Sequence, residues 1–389
     1  MFTKNRVINL NYKSNKADSQ FKLIAKIKKN TVVMKKHNFG AGPCILPQEV
    51  FQEASEAVKN WNGLSILEVS HRSKDYEAVM QEARDLVKKA LGLGDDYEVL
   101  YLQGGATLGF TIAALNMMRD TKKAAYMNTG TWASGAIKEA KKVGVDVNVI
   151  ASSEDKNFSY IPKGVIIPSD VDYFHYTSNN TIYGTQFKEI PNSPVPLVCD
   201  MSSDIFSKEI DATKFDLIYA GAQKNLGPAG ATLYIVKKSA LGKSTSPFMP
   251  TYLDLKGHAD KDSMNNTPPV FSVYVSMLNL RHMLANGGVK AQGIKNEAKA
   301  KLLYGEIDAN PLFKGTVAVE DRSEMNVNFL LTNDALSAEF DAAWKEAGIV
   351  GLNGHRSVGG YRASMYNALE LESVQVLVDV MKHFAQKHG

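Results

Sequence analysis

A chain of 389 residues, 44% hydrophobic and 22% charged, can bury a large core, which excludes a disordered or fibrous protein. No apolar run approaches the roughly 18 residues of a membrane span. The formal net charge of +4 points to no nucleic-acid partner, because residues 1–36 hold ten Lys or Arg against Asp18 alone and leave 35 basic and 40 acidic groups, a net −5, in the other 353 residues.

That basic stretch lacks the apolar region and small-residue cleavage site of a signal peptide. With Met34 as an alternative start, residues 1–36 are expected to be a disordered extension or to precede the true beginning. Cys44 and Cys199 give neither a disulfide framework nor metal-ligand spacing, so no metal is expected and a reducing cytoplasm is the simplest compartment.

From Pro47 helical and strand patterns alternate. Pro47 to Asn60 and Asp75 to Leu91 are amphipathic, and Tyr97–Leu102 is an apolar strand. Further strands are expected at Ala124–Met127, Val145–Ile150, Tyr173–Tyr176, Val195–Cys199, Leu217–Ala220 and Thr232–Val236, with helices at Leu108–Met118 and Ser134–Val143. Strands separated by helices predict an α/β fold with a mainly parallel sheet covered on both faces, and ligands in such sheets bind beyond the strand carboxyl ends. Asn286-Gly287-Gly288 interrupts the pattern. Beyond it a helix begins at Val289, strands are predicted at Thr316–Val319 and Asn326–Leu331, and helices at Ser337–Ala347 and Ser373–His388 complete a smaller α+β unit. The division expected is a large domain over 46–288 and a small one over 37–45 with 289–389.

Phe215-Asp-Leu-Ile-Tyr-Ala-Gly-Ala-Gln-Lys224 runs from an apolar strand onto one lysine in a loop of small residues. Between Asp216 and Lys237 it is the only charged group. A lysine forms an imine with an aldehyde only as the neutral amine, which desolvation favours; a solvated loop lysine is the alternative. Gln103-Gly-Gly-Ala-Thr107 follows a strand and opens a helix, so its N–H groups and the Thr107 hydroxyl could hold a phosphate, or the glycines could serve only to reverse the chain. Asp200, ending an apolar strand, needs a cationic or hydrogen-bonding partner if buried, or stands exposed and caps a turn at Ser202 or Ser203. Trp132, read as lying in a loop after a strand, could stack on a planar ligand or belong to the core. His71-Arg72, and His355-Arg356 followed by Arg362, offer anion-binding forks, with surface ion pairing as the alternative for each.

Together Phe39-Gly-Ala-Gly-Pro43, Ser70-His-Arg-Ser73, Gly104-Gly-Ala-Thr107, Asn180-Thr181-Ile, Ala220-Gly-Ala-Gln-Lys-Asn-Leu-Gly-Pro-Ala-Gly230, Asn266-Thr-Pro-Pro269 and Gly354-His-Arg-Ser-Val-Gly-Gly-Tyr-Arg-Ala-Ser-Met-Tyr-Asn367 closely resemble the phosphoserine aminotransferases, over about residues 37–389. The resemblance implies an aspartate-aminotransferase-like fold and pyridoxal phosphate as cofactor. It makes Lys224 the covalent anchor and proton carrier, pairs Asp200 with the pyridine nitrogen, stacks Trp132 on the ring and places Thr181 on the 3′ oxygen. Ala106, Thr107 and Gln223 would hold the phosphate, joined by Asn266 and Thr267 of a second subunit, which implies a homodimer. Arg362 would take the α-carboxylate, and His71, Arg72, His355 and Arg356 the distal anion of glutamate or a phosphorylated 2-oxoacid. The implied reaction moves the amino group of glutamate to 3-phosphohydroxypyruvate, and in some organisms to 3-hydroxy-2-oxo-4-phosphobutanoate in vitamin B6 synthesis. Another enzyme of the same fold, such as an alanine–glyoxylate aminotransferase, is an alternative; so is a noncatalytic phospholigand-binding protein in which Lys224 serves only as a charge. A cysteine desulfurase would need a mobile loop cysteine, which neither Cys44 nor Cys199 resembles.

Overall fold

The computed structural model describes residues 35–388; the expected basic extension lies, up to residue 34, outside them. Among the described residues, strands β1 (Tyr97–Leu102), β2 (Lys123–Asn128), β3 (Asp146–Ser152), β4 (Tyr173–Thr177), β5 (Leu197–Asp200), β6 (Leu217–Gly221) and β7 (Thr232–Lys237) form one sheet in the order β1-β7-β6-β5-β4-β2-β3. β7 runs antiparallel to β1 and β6, and the remaining pairs are parallel. The central strands are apolar along their whole length because both sheet faces are covered. Along β1, Tyr97, Val99 and Tyr101 enter one hydrophobic cluster, whereas Leu100 and Leu102 enter another. Helices α1 (Gln48–Lys59) and α2 (Lys74–Leu91) pack on the first face; α3 (Gly105–Met117) and α4 (Thr131–Lys142) cover the second.

Helix α5 (Val270–Ala285) belongs to the first cluster, and α6 (Gly288–Ala309) leads away from it. Strands β8 (Phe313–Gly315), β9 (Asn326–Leu331) and β10 (Tyr361–Ser364) form an antiparallel sheet in that order. With α6, α7 (Ser337–Glu346) and α8 (Leu371–His388) they enclose a third cluster, which also takes in Phe39. Parallel pairing of His37–Asn38 with Ile349–Val350 holds that segment there. Among the described residues no helix is long and apolar enough to cross a membrane.

Several boundaries differ from expectation. The strand expected at Thr316–Val319 falls earlier, at Phe313–Gly315, because the Ala318 N–H donates to the Ser159 carbonyl at 2.9 Å instead of joining the ladder. β5 starts at Leu197 rather than Val195, since Pro194 and Pro196 have no N–H to pair. The two helices after β1 and β2 begin three residues earlier than their apolar periodicity suggests, at Gly105 and Thr131. Trp132 therefore lies in the first turn of α4 and not in a loop.

Candidate active site

β6 ends at Gly221, and the next turn is closed by Leu226 and Gly227 N–H groups donating to the Ala222 carbonyl at 3.2 and 2.7 Å. A Cβ at Gly227 would collide with Ser276 of α5, so only glycine lets this loop lie on that helix. The loop carries Lys224 to the carboxyl end of the sheet, where its Nζ donates to Thr181 Oγ1 at 2.9 Å. Burial pushes the ammonium down to about 8; the Arg362 charge adds to this and the Asp200 carboxylate opposes it. Lys224 is thus not the solvated loop lysine of the alternative reading.

Asp200 is 4% exposed. Burial raises its carboxyl above the usual range, while Ser202 and Lys224 act in the other direction. Its Oδ1 accepts the Ser202 N–H at 2.9 Å, so the expected turn cap exists, but in the interior rather than at the surface. Opposite, Gly104 has φ 98° and a Cβ there would meet Leu108 Cβ at 2.6 Å. This left-handed glycine is the N-cap of α3 and places Gly105, Ala106 and Thr107 in a first turn whose N–H groups have no intrahelical acceptor.

These groups share one cavity of about 140 Å³, lined by Ala106, Thr107, Trp132, Thr181, Asp200, Gln223 and Lys224. Trp132 is 38% exposed, so its ring is not core. Gly105, Thr177, Asn179, Ser202 and Ser203 also line it, and of these the sequence pointed to Gly105, within the glycine cup, and to the serines, as capped residues, but not to Thr177 or Asn179. Thr177 is aligned with Asp200 across the β4–β5 pair, and its buried hydroxyl has no partner.

Arg362 on β10 adjoins this cavity. Its Nη1 donates to the Thr181 carbonyl at 3.3 Å, and its Nε is buried without an acceptor. His355 Nδ1 accepts the Ser357 N–H at 3.3 Å, which leaves the ring proton of a neutral imidazole on Nε2 as a donor. Burial lowers the His355 pKa, and the Arg362 and Arg356 charges lower it further. Arg362 and exposed Arg356 are therefore the cations here, with His355 beside them as a neutral donor. The other predicted residues do not join the chain's own cavity. His71 and Arg72 precede α2, with Ser73 capping that helix through the Tyr76 N–H at 3.3 Å. Asn266 donates to Gln103 Oε1 at 3.2 Å, and the Thr267 carbonyl accepts from Gln103 Nε2 at 2.9 Å.

The cavity fits pyridoxal phosphate. Its donor set holds a buried carboxylate suited to a pyridinium, an aromatic face, unpaired N–H groups at a helix N-terminus for a phosphate, and a lysine that yields its proton readily. Because the base form of Lys224 exists above its pKa, labelling of Lys224 in cofactor-free protein by an amine reagent should rise with pH around a midpoint near 8, against about 10.4 for an exposed lysine. Peptide mapping of the label across pH checks this; a midpoint shared with the surface lysines would refute it.

Residues 36–377 match the family "Aminotransferase class-V". The phosphoserine aminotransferase of Flavobacterium johnsoniae is 61% identical over 357 residues, covering 91% of this chain and all of that one. The solved phosphoserine aminotransferase from Bacillus circulans subsp. alkalophilus superposes with a TM-score of 0.88 at 43% identity, over 91% of this chain and 99% of that one. That of Trichomonas vaginalis, solved with pyridoxal phosphate bound, gives 0.85 at 35% identity, over 90% and 100%. The chain belongs to the class-V aminotransferases and is a pyridoxal phosphate-dependent enzyme.

Proposed function

We propose that the protein transfers the amino group of glutamate to 3-phosphohydroxypyruvate, giving 2-oxoglutarate and phosphoserine, in the cytoplasm and as a homodimer. The observation that carries this reading is Arg362, bonded to the Thr181 carbonyl at the wall of the Lys224–Asp200 cavity, with His355 and Arg356 as a second cluster near it. Both substrates are dianionic or more, with one carboxylate next to the reacting carbon and a second anion beyond it. A small neutral side chain, as in an alanine–glyoxylate enzyme, would leave that second cluster without an anion. The same cluster suits 3-hydroxy-2-oxo-4-phosphobutanoate, a step of pyridoxine synthesis.

When bound, pyridoxal phosphate supplies an aldehyde carbon and a ring that accepts electrons. Asp200 would hold a positive charge at the pyridine nitrogen, and Trp132 would cover the ring face. The first turn of α3 and Gln223 hold the phosphate. Lys224, neutral above about pH 8 and oriented by Thr181, would carry the proton between the substrate Cα and the cofactor's C4′, the former aldehyde carbon across the nitrogen from it. Arg362 exchanges its weak bond to the Thr181 carbonyl for the substrate α-carboxylate, which also satisfies Nε. Asn266, Thr267, His71 and Arg72 lie outside the chain's own cavity, which supports a role for them at the site of a second subunit.

Arg356→Leu should weaken phosphorylated substrates by about 1.5–3 kcal/mol, the range for a charged hydrogen bond. An equal loss with glyoxylate, which has no distal anion, would show that Arg356 serves another purpose. The whole reading is tested by adding single amino acids to the yellow holoenzyme. Glutamate and phosphoserine should bleach it; bleaching by alanine alone would overturn the assignment.

A further inference from the structure

Lys299, on α6, is 1% exposed, and among the described residues no carboxylate pairs with it. Burial pushes its ammonium down to about 7, with the Lys295 charge acting in the same direction. The Nζ donates to two successive carbonyls, Met365 at 3.0 Å and Tyr366 at 2.8 Å. Those carbonyls belong to the segment by which the chain leaves β10, the strand that carries Arg362.

The segment is moored on other sides as well. The Met365 N–H donates to the Met325 carbonyl at 2.7 Å. The Asn367 N–H donates to Asn225 Oδ1 at 3.0 Å, and Asn225 is the residue after Lys224. Asn296, one turn before Lys299 on α6, donates to Asn367 Oδ1 at 2.9 Å. One short stretch of backbone thus connects the lysine loop, the long helix and the strand bearing the carboxylate-binding arginine. An ammonium offers three donors from a single atom on a long stem, enough to hold both carbonyls at once, and keeping a cation buried without a counter-ion is unfavourable.

We propose that Lys299 is a positioning residue for substrate binding: by holding the Met365 and Tyr366 carbonyls it fixes the exit of β10 against the Lys224 loop, and so fixes where Arg362 presents its guanidinium. The inference rests on Arg362 as the carboxylate site, as proposed above.

The test is calorimetric titration of holoenzyme with maleate, an unreactive dicarboxylate, alongside thermal unfolding. Lys299→Met should weaken maleate about tenfold, or about 1.4 kcal/mol, and Lys299→Gln, which keeps two amide donors on a shorter stem, should fall between it and the parent. In an Arg362→Ala background Lys299→Met should cost no further affinity, since the group it positions is gone. Loss of thermal stability with unchanged maleate affinity in either Lys299 variant would reduce the residue to a structural pin and overturn the proposal. So would losses that simply add in the double variant. If Arg362→Ala itself leaves maleate binding unchanged, the carboxylate reading falls and takes this inference with it; additive losses sink the inference alone.

Discussion

Lys224→Ala is expected to lower turnover by at least about 10³-fold, within the range for removal of a general acid–base group, while leaving the fold intact. The Lys224 amine donates to Thr181 Oγ1. Its ammonium is disfavoured by burial, so the cofactor-free variant should melt no lower than the parent protein. Two measurements separate chemistry from folding. Borohydride reduction of the holoenzyme followed by digestion should leave a pyridoxyl group on the Lys224 peptide of the parent and none on the variant. Added primary amines should restore part of the lost rate, because they can carry the proton that Lys224 no longer moves. Turnover above a trace without added amine would place the proton transfer on another group.

The features that made this site legible in the sequence are local. An apolar strand ending on one lysine among small residues, two glycines between a strand and a helix, and a carboxylate closing an apolar run each follow from a few adjacent residues. Two kinds of feature were not legible. The first turns of α3 and α4 begin at Gly104 and Gly130, which have no side-chain cap hydrogen bond, so nothing in the pattern announced that Trp132 is helical. Thr177 and Asn179 line the cavity because β4 lies beside β5, and strand order is a long-range property that spacing along the chain does not encode. Asn179 also bridges to β9, donating to Ser203 Oγ and Asn326 Oδ1 at 2.8 Å each. Its role depends on β9 arriving from nearly 150 positions away. The side at Arg362 is similar: His355, Arg356 and Arg362 were visible as near neighbours along the chain, but the turn that folds them back is closed by the Gly354 N–H donating to the Gly360 carbonyl at 2.8 Å.

Asp200→Asn should cost about 10²–10³-fold in turnover, the scale seen when one preorganised electrostatic partner is removed from an active site, and the pH dependence of the loss identifies its cause. The amide has the shape of the carboxylate and keeps an oxygen for the Ser202 N–H, so packing is preserved and a buried charge is removed. Asp200 currently raises the Lys224 pKa against the larger effect of burial. Without that carboxylate the lysine should titrate below about 8, and more of it is the free base at neutral pH. If Asp200 acted only by setting the lysine's protonation, the variant would therefore be as active as the parent or better on the acidic side. If it holds the proton on the pyridine nitrogen, the loss should persist at every pH even as the acidic limb of the profile moves down. A pH–rate profile from 6 to 10, set against the midpoint of Lys224 labelling in the same variant, distinguishes the two. Recovery of parental turnover at any pH in that range would remove Asp200 from the electronic role and leave it a neighbour that tunes Lys224.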